Sequence, residues 1–211
     1  MKTRKLLLII FWTVTIIVSL YFYYDNAIAY LYGYRSERFG LTLFENQIWF
    51  VIHITGATFS LFLGPIQFWG YIRKNYISYH RLAGKLYIIG SLIAGGSALR
   101  LSLINDCLGC RYSLVLLSIL FLLTTSLAWV SIKRKNITAH RQFMIRSYTC
   151  ALAFVFVRLY QILPLDFLYS TINDAEIRRT VNEWMFSFIP IIIVEVVMIW
   201  LPSVKQIKVG Q

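Results

Sequence analysis

Six long apolar segments, separated by short polar ones, organise this chain of 211 residues. A helix needs about 20 apolar residues to cross the hydrocarbon core of a bilayer, which is about 30 Å thick. Hydrophobic residues make up 58% of the chain and charged residues only 14%, a balance that is too apolar for a soluble domain. The sequence therefore predicts an all-α membrane protein with six transmembrane helices. We place them near residues 6–24, 46–69, 82–104, 112–132, 143–163 and 184–202.

The first apolar segment has a length that also suits a signal peptide. The residues that follow it, Tyr21 to Asn26, are bulky and lack the small-residue pattern at which signal peptides are cleaved. We therefore expect this segment to remain in the protein as a membrane anchor.

Lys and Arg residues are distributed unequally between the two sets of loops. If the N-terminus faces the cytoplasm, fourteen of the 21 Lys and Arg residues fall on the cytoplasmic side. Loops rich in these residues stay on that side, so we expect both termini to be cytoplasmic. The net charge of +12 then describes an inner surface that attracts anionic lipid headgroups of the bilayer. We do not expect binding of nucleic acid.

A polar motif occurs twice in the chain. The segment IRKNYISYHR at 72–81 returns as IKRKNITAHR at 132–141, once Tyr76 is skipped. The matched residues are Asn75, Ile77, Ser78, His80 and Arg81 in the first copy, and Asn136, Ile137, Thr138, His140 and Arg141 in the second. Farther along, Tyr87 and Arg100-Leu101 match Tyr148 and Arg158-Leu159. The motif therefore places two of the three histidines at equivalent positions of a tandem repeat.

The repeat predicts how the helices are organised. Repeat 1 covers about 46–104 and repeat 2 about 112–163, and each contains one pair of helices. An offset of two spans preserves direction across the bilayer, so the repeat is parallel. We expect a four-helix core, flanked by the helices at 6–24 and 184–202, in a single transmembrane domain over 1–211.

The cytoplasmic end of this core is expected to be strongly basic. Ser78 and Thr138 are good N-cap residues, which would place both His-Arg pairs in the first turns of two helices. The cations there are Arg81, Lys85, Arg141 and Arg146. Cations oppose the dipole at a helix start, so an anion such as a phosphate or carboxylate is expected between them. The alternative is that these residues only enforce topology and contact lipid headgroups.

His80 and His140 suggest a specific ligand for this end of the core. Neutral imidazoles on two facing helices are a usual way for a membrane bundle to hold haem iron. Haem b would then be held by this pair, with its propionates bound by Arg81, Arg141 or Arg146. Gln67 is a further candidate to contact such a ligand, or else to form a hydrogen bond across the bundle. The alternative for each histidine is a contact with lipid headgroups.

A secondary polar site is predicted toward the opposite face. His53 lies within the second span, and Arg100 and Arg158 follow the two motif histidines by 20 and 18 residues. Charges inside a membrane are costly and therefore suggest function. The alternative is that both arginines extend to the interface.

Three further residue types remain ambiguous. Glu195 is surrounded by apolar residues, so it either pairs with a donor in the inner half of the bundle or takes part in proton movement. Cys107 and Cys110 form a CxxC that is free to become a disulfide, and it lacks the further ligands that zinc requires. Cys150 is predicted to be a small core residue.

Three of these segments resemble a known family. GPIQFW at 64–69, HRLAGKLY at 80–87 and HRQFMIRSY at 140–148 are similar to the signature of an uncharacterised bacterial family of multi-pass membrane proteins, a domain-of-unknown-function family. The resemblance runs from about residue 50 to 160. It implies location in the bacterial plasma membrane and brings no established activity. A more distant similarity is to b-type transmembrane cytochromes of the ferric-reductase kind, which use two histidine pairs, whereas this chain has three histidines in total.

Two functional hypotheses follow. One is a redox protein with a single haem b held by His80 and His140. The other is a non-enzymatic accessory subunit or small transporter that binds an anionic lipid or a partner at the basic site. The sequence identifies no substrate, electron donor or oligomeric state.

Overall fold

The computed structural model describes residues 2–24, 28, 44–159 and 170–207, and all regular secondary structure in these ranges is helical. The helices are α1 (Lys2–Phe22), α2 (Phe44–Phe68), α3 (Gly70–Asn75), α4 (Ile77–Leu103), α5 (Leu108–Lys133), α6 (Ile137–Ala151), α7 (Ala153–Leu159), α8 (Ala175–Glu195) and α9 (Leu201–Ile207). A π-helical turn, Val196–Trp200, connects α8 to α9. The predicted all-α class is confirmed.

Four helical segments of the described ranges are long and apolar enough to cross a membrane. They are Gln47–Phe68, Ile77–Leu103, Leu108–Lys133 and Ala175–Val204. These correspond to the second, third, fourth and sixth predicted spans. The apolar part of α1, Ile9–Tyr21, is shorter. In the fifth predicted span α6 ends at Ala151, α7 ends at Leu159, and residues 160–163 lie outside the described residues. The count of six spans and the tandem repeat therefore stay predictions.

All four long helices begin before their predicted spans, and three of them begin four or more residues before. The first residues of these three are Ile77, Leu108 and Ala175, whereas the predicted spans begin at 82, 112 and 184. The difference arises because hydropathy reports the apolar stretch, while helical hydrogen bonding continues into polar residues at the interface. His80-Arg81 and Arg178-Arg179 are helical for this reason.

The chain forms two compact units, Met1–Ser97 and Ala98–Gln211. In the first unit, α2 packs closely against α4 through small residues. A Cβ at Gly56 would lie 2.6 Å from the carbonyl oxygen of Gly90 and 2.7 Å from the backbone nitrogen of Ala94. One turn farther along, the hydroxyls of Ser60 and Ser91 are 2.8 Å apart. Small residues let two membrane helices approach to backbone contact, and here they position α4 directly over α2.

In the second unit, polar side chains connect α5 to α6 and α7 to α8. Thr125 Oγ1 lies 2.7 Å from Ser147 Oγ, and both residues are fully buried. The amide of Asn182 in α8 donates to the carbonyl of Val157 in α7, at 3.3 Å. Hydrogen bonds between buried side chains fix the rotation of each helix, since a rotated helix would leave its hydroxyl or amide without a partner.

A disulfide forms at the start of α5. Cys107 is the N-cap residue, and its sulfur is bonded to that of Cys110 in the first turn. The indole of Trp184 in α8 donates to the carbonyl of Gly109 at 3.1 Å, and Thr180 covers the disulfide from the same helix. The CxxC is therefore part of the contact between α5 and α8. Cys150 is a free, buried thiol, which confirms its predicted place in the core.

Candidate functional site

His140 is held by a backbone carbonyl of the neighbouring helix. It lies in the first turn of α6, half-buried, with Nδ1 at 2.8 Å from the carbonyl oxygen of Ala128 in α5. A carbonyl oxygen only accepts, so Nδ1 donates its proton to Ala128. In the neutral ring this leaves the lone pair on Nε2. Histidines that ligate metals are typically oriented in this way, with the second nitrogen bound to a backbone carbonyl or a carboxylate.

The local sequence explains why His140 stands at that position. Asn136 is the N-cap of α6, and its side chain accepts from the backbone nitrogen of Ala139 at 3.0 Å. The prediction that Thr138 is the N-cap is wrong, and so is the equivalent prediction for Ser78, because α4 already begins at Ile77. In both copies of the motif the helix thus begins earlier than predicted, at the matched residues Ile77 and Ile137. Both histidines nevertheless lie in a first turn, as predicted.

His80 lies on the face of α4 that is turned into the first unit. It is half-buried, and Gly84 and Tyr87 follow it by four and seven residues, on the same side of the helix. Tyr87 is fully buried. His80 and His140 belong to different compact units, so their pairing stays a prediction.

Gln67 extends its amide from α2 toward this face of α4. Its side chain is only 7% exposed, and a Cβ at Gly84 would lie 3.0 Å from its Oε1. The absence of a side chain at position 84 is what makes room for the amide. Gln67 therefore lies opposite Gly84, one helical turn of α4 from His80. A contact of Gln67 with a ligand of His80 stays a prediction.

The basic residues of the site divide into two kinds. Arg81, Lys85 and Arg141 are exposed, and none of the three forms an ion pair with an acid in the ranges that the structure describes. Arg146 differs, because its Nε and Nη2 both donate to the carboxylate of Glu195, the second of these bonds at 2.8 Å. Its guanidinium carbon also lies 5.5 Å from the ring centre of Phe143.

The ion pair identifies the partner of Glu195. Of the two alternatives, pairing with a donor or proton movement, the structure contains the pairing, and the donor is Arg146. A carboxylate and a guanidinium that meet through two parallel hydrogen bonds compensate each other where a single charge would be expensive. Glu195 is also the last α-helical residue before the π-helical turn Val196–Trp200. Such turns are frequent at functional sites of helices.

The residues of the secondary polar site are placed separately. His53 Nδ1 lies 3.0 Å from the carbonyl oxygen of Ala94, within the first unit. Arg100 is exposed in the last turn of α4, and the side chain of Arg158 lies outside the described residues. A common site of the three therefore stays a prediction. Ala94 follows His80 by 14 residues, about 21 Å along a helix, so the hydrogen bond of His53 lies far from His80.

Sequence reasoning missed two features of the site. It placed Arg146 with the basic residues and did not name it as the donor for Glu195, although the two are opposite charges within predicted spans and this was a signal for pairing. It had no signal for the carbonyls of Ala94 and Ala128, since backbone acceptors are the same at every residue. Within the described ranges, no three His, Cys, Asp or Glu side chains gather as a metal site.

Residues 50–199 match the family described as "Predicted membrane protein (DUF2306)". The chain belongs to this family. No curated protein and no solved structure matches it. The matched range includes all three histidines and the Arg146–Glu195 ion pair, and it confirms the expected kinship with an uncharacterised family of membrane proteins.

Proposed function

We propose that this membrane protein binds a single haem b through His80 and His140, on the cytoplasmic side of a bacterial plasma membrane, and that it transfers electrons. The observation that carries the proposal is the hydrogen bond from His140 Nδ1 to the carbonyl of Ala128. It fixes the ring and its tautomer, and the Nε2 lone pair is the one that binds iron. A bound haem would supply one-electron reduction and oxidation.

Each residue of the site has a separate role in this proposal. His80 contributes the second imidazole from a half-buried position in the first turn of α4, two turns before the buried Tyr87. Arg81 and Arg141 are the cations available to the propionates, because each directly follows one of the two histidines that would bind the iron. Arg146 is less suited to that role than the sequence suggested, because its guanidinium is already bound to Glu195. It instead supports the helix that carries His140.

The test is an absorption spectrum of the full-length protein, purified in detergent from haem-sufficient cells. We expect a Soret band that shifts on reduction with dithionite, and loss of that band in His80→Ala and in His140→Ala. His53→Ala is the matched control, because His53 makes the same type of hydrogen bond, to Ala94, at a distance from the site. Colourless wild-type protein, or a band unchanged by both substitutions, would overturn the proposal.

A second candidate function is favoured by the exposure of the basic residues. Arg81, Lys85 and Arg141 are exposed beside two helix starts without an acidic partner in the described ranges. Exposed cations of this kind suit an anionic lipid headgroup or an acidic partner, in a non-enzymatic accessory subunit or a small transporter. Triple replacement of these residues by Gln should reduce co-purified phosphatidylglycerol, measured by mass spectrometry of extracted lipid. Unchanged phosphatidylglycerol would contradict this candidate.

A further inference from the structure

The side chain of Gln67 is a buried amide with an unused donor. In the part of the chain that the structure describes, Gln67 Nε2 is fully buried and has no hydrogen-bond acceptor. The whole side chain is 7% exposed. Leaving an amide N–H without an acceptor is costly inside a protein and more so in a bilayer, where water does not replace the missing partner. A leucine would occupy this position without that cost.

The surroundings of the amide are arranged to keep it there. Gly84 faces Gln67, with the position of its absent Cβ 3.0 Å from Oε1 and 3.9 Å from Nε2. An alanine at 84 would press on the amide. Gly96 of the same helix, by contrast, has open space where its Cβ would be. Gly84 therefore makes room for the Gln67 side chain.

The amide also lies where a ligand of His80 would be. His80, Gly84 and Tyr87 follow one another along a single face of α4, and Gln67 opposes the middle one. An acceptor atom beside His80 would satisfy the donor that the protein leaves unused. Because exposed cations, Arg81 and Lys85, follow on the adjoining turns, that acceptor is best an anionic oxygen.

We propose that Gln67 is a ligand-binding residue, whose Nε2 donates to an anionic oxygen of the ligand held at His80. Gly84 provides the space that the Gln67 amide occupies. The inference rests on the proposed haem function, in which this oxygen belongs to a propionate. A phosphate of an anionic lipid presents the same chemistry. The acceptor is thus an anionic oxygen in either case, and experiment distinguishes a haem propionate from a lipid phosphate.

The test compares haem b with its dimethyl ester, which lacks both carboxylates, on the full-length protein in nanodiscs. We expect the wild type to bind haem b more tightly than the ester, and Gln67→Leu to reduce that preference by about tenfold, the value of one hydrogen bond to a charged group. Gly84→Ala should act in the same direction. Gly96→Ala is the matched control and should leave the preference unchanged. An equal preference in the wild type and Gln67→Leu would overturn the inference while leaving the haem proposal intact.

Thermal unfolding of the ligand-free protein supplies a second readout. If the Nε2 donor serves a ligand, Gln67→Leu should unfold at the same temperature as the wild type or higher, because it removes a buried amide without breaking a hydrogen bond. A clear fall in that temperature would assign Gln67 a structural hydrogen bond and overturn the inference.

The lipid source is tested in the same protein. If neither porphyrin binds the wild type, the haem proposal fails, and the inference is decided by lipid. Nanodiscs of phosphatidylglycerol should then stabilise the wild type against heat more than those of phosphatidylcholine, and Gln67→Leu should lose that difference. A difference that survives in Gln67→Leu would overturn the inference for lipid as well.

Discussion

The helix pair α2/α4 in the first unit and the pair α5/α6 in the second each contain an imidazole bound to a carbonyl of the facing helix, but they are held together by different interactions. In the first pair, Gly56 and Gly90 bring the two backbones into contact. Both pairs contain two buried hydroxyls in contact, and in the second unit an ion pair also ties α6 to α8. The first pair should therefore be sensitive to added volume, and the second to the loss of a partner.

The sharpest way to break this comparison is to remove one charge. Arg146→Ala should lower the free energy of unfolding by about 3 kcal/mol, because it leaves the Glu195 carboxylate uncompensated. This is the lower end of the range for buried pairs, since the side chains are 15% and 32% exposed. Thermal unfolding in detergent measures the effect.

Two further variants serve as controls for Arg146→Ala. Arg141→Ala, an exposed arginine of the same helix, should unfold like the wild type. The double variant Arg146→Met with Glu195→Leu should recover most of the loss, because it removes both charges together. If Arg146→Ala and Arg141→Ala unfold alike, the ion pair contributes nothing to the second unit.

A single methyl group should break the first pair. Gly56→Ala places a Cβ against backbone atoms of Gly90 and Ala94, which cannot move as a side chain would. We expect a loss of about 2 kcal/mol from overpacking, measured as a lower unfolding temperature. Gly96→Ala is the control, and it should be neutral or slightly stabilising because alanine favours helix. Equal behaviour of the two variants would mean that α2 and α4 are not in backbone contact.

The disulfide gives the second unit a covalent restraint, and its removal should matter less. Cys107 and Cys110 close a loop with a sequence separation of 3, so little chain entropy is lost from the unfolded state. We expect reduction by dithiothreitol to cost less than about 2 kcal/mol in unfolding free energy. A variant with both cysteines replaced by serine should be insensitive to the reductant. A larger loss on reduction would show that the contact between α5 and α8 depends on this bond.

The hydroxyl pairs sharpen the comparison through their similarity. Thr125→Val and Ser60→Ala each remove one member of a buried hydroxyl pair, one in each unit. Each should cost about 0.6 kcal/mol, the average for side-chain hydrogen bonds between membrane helices. If the two variants lose equal unfolding free energy, the difference between the two units is due to Gly56 and Arg146 and not to the hydroxyl pairs. Unequal losses would contradict that division.

The candidate residues His80, His140 and Arg81 could be selected from the sequence, because a repeated motif marks them, and their common site stays a prediction. The N-caps could not, since Asn136 and Thr138 are both good cap residues, and the choice between them depends on where the preceding turn ends. The predicted spans also begin later than the helices, because the length of an apolar run reflects the thickness of the hydrocarbon core and not the full length of the helix. Pairing of Glu195 was one of the predicted alternatives, but Arg146 was not named as the donor, because the two residues are 49 positions apart in the chain.

The sequence by itself determined that this chain is a helical membrane protein, where its apolar helices lie, and which residues form the two His-Arg motifs. These properties are local, since each depends on the solvation of a stretch of residues in lipid or water. Only the tertiary structure decided that His140 is bound to Ala128, that Arg146 is bound to Glu195, and that Gly84 makes room for Gln67. Those pairings depend on the rotation and register of packed helices, which rest on many contacts of small energy between residues far apart in the chain.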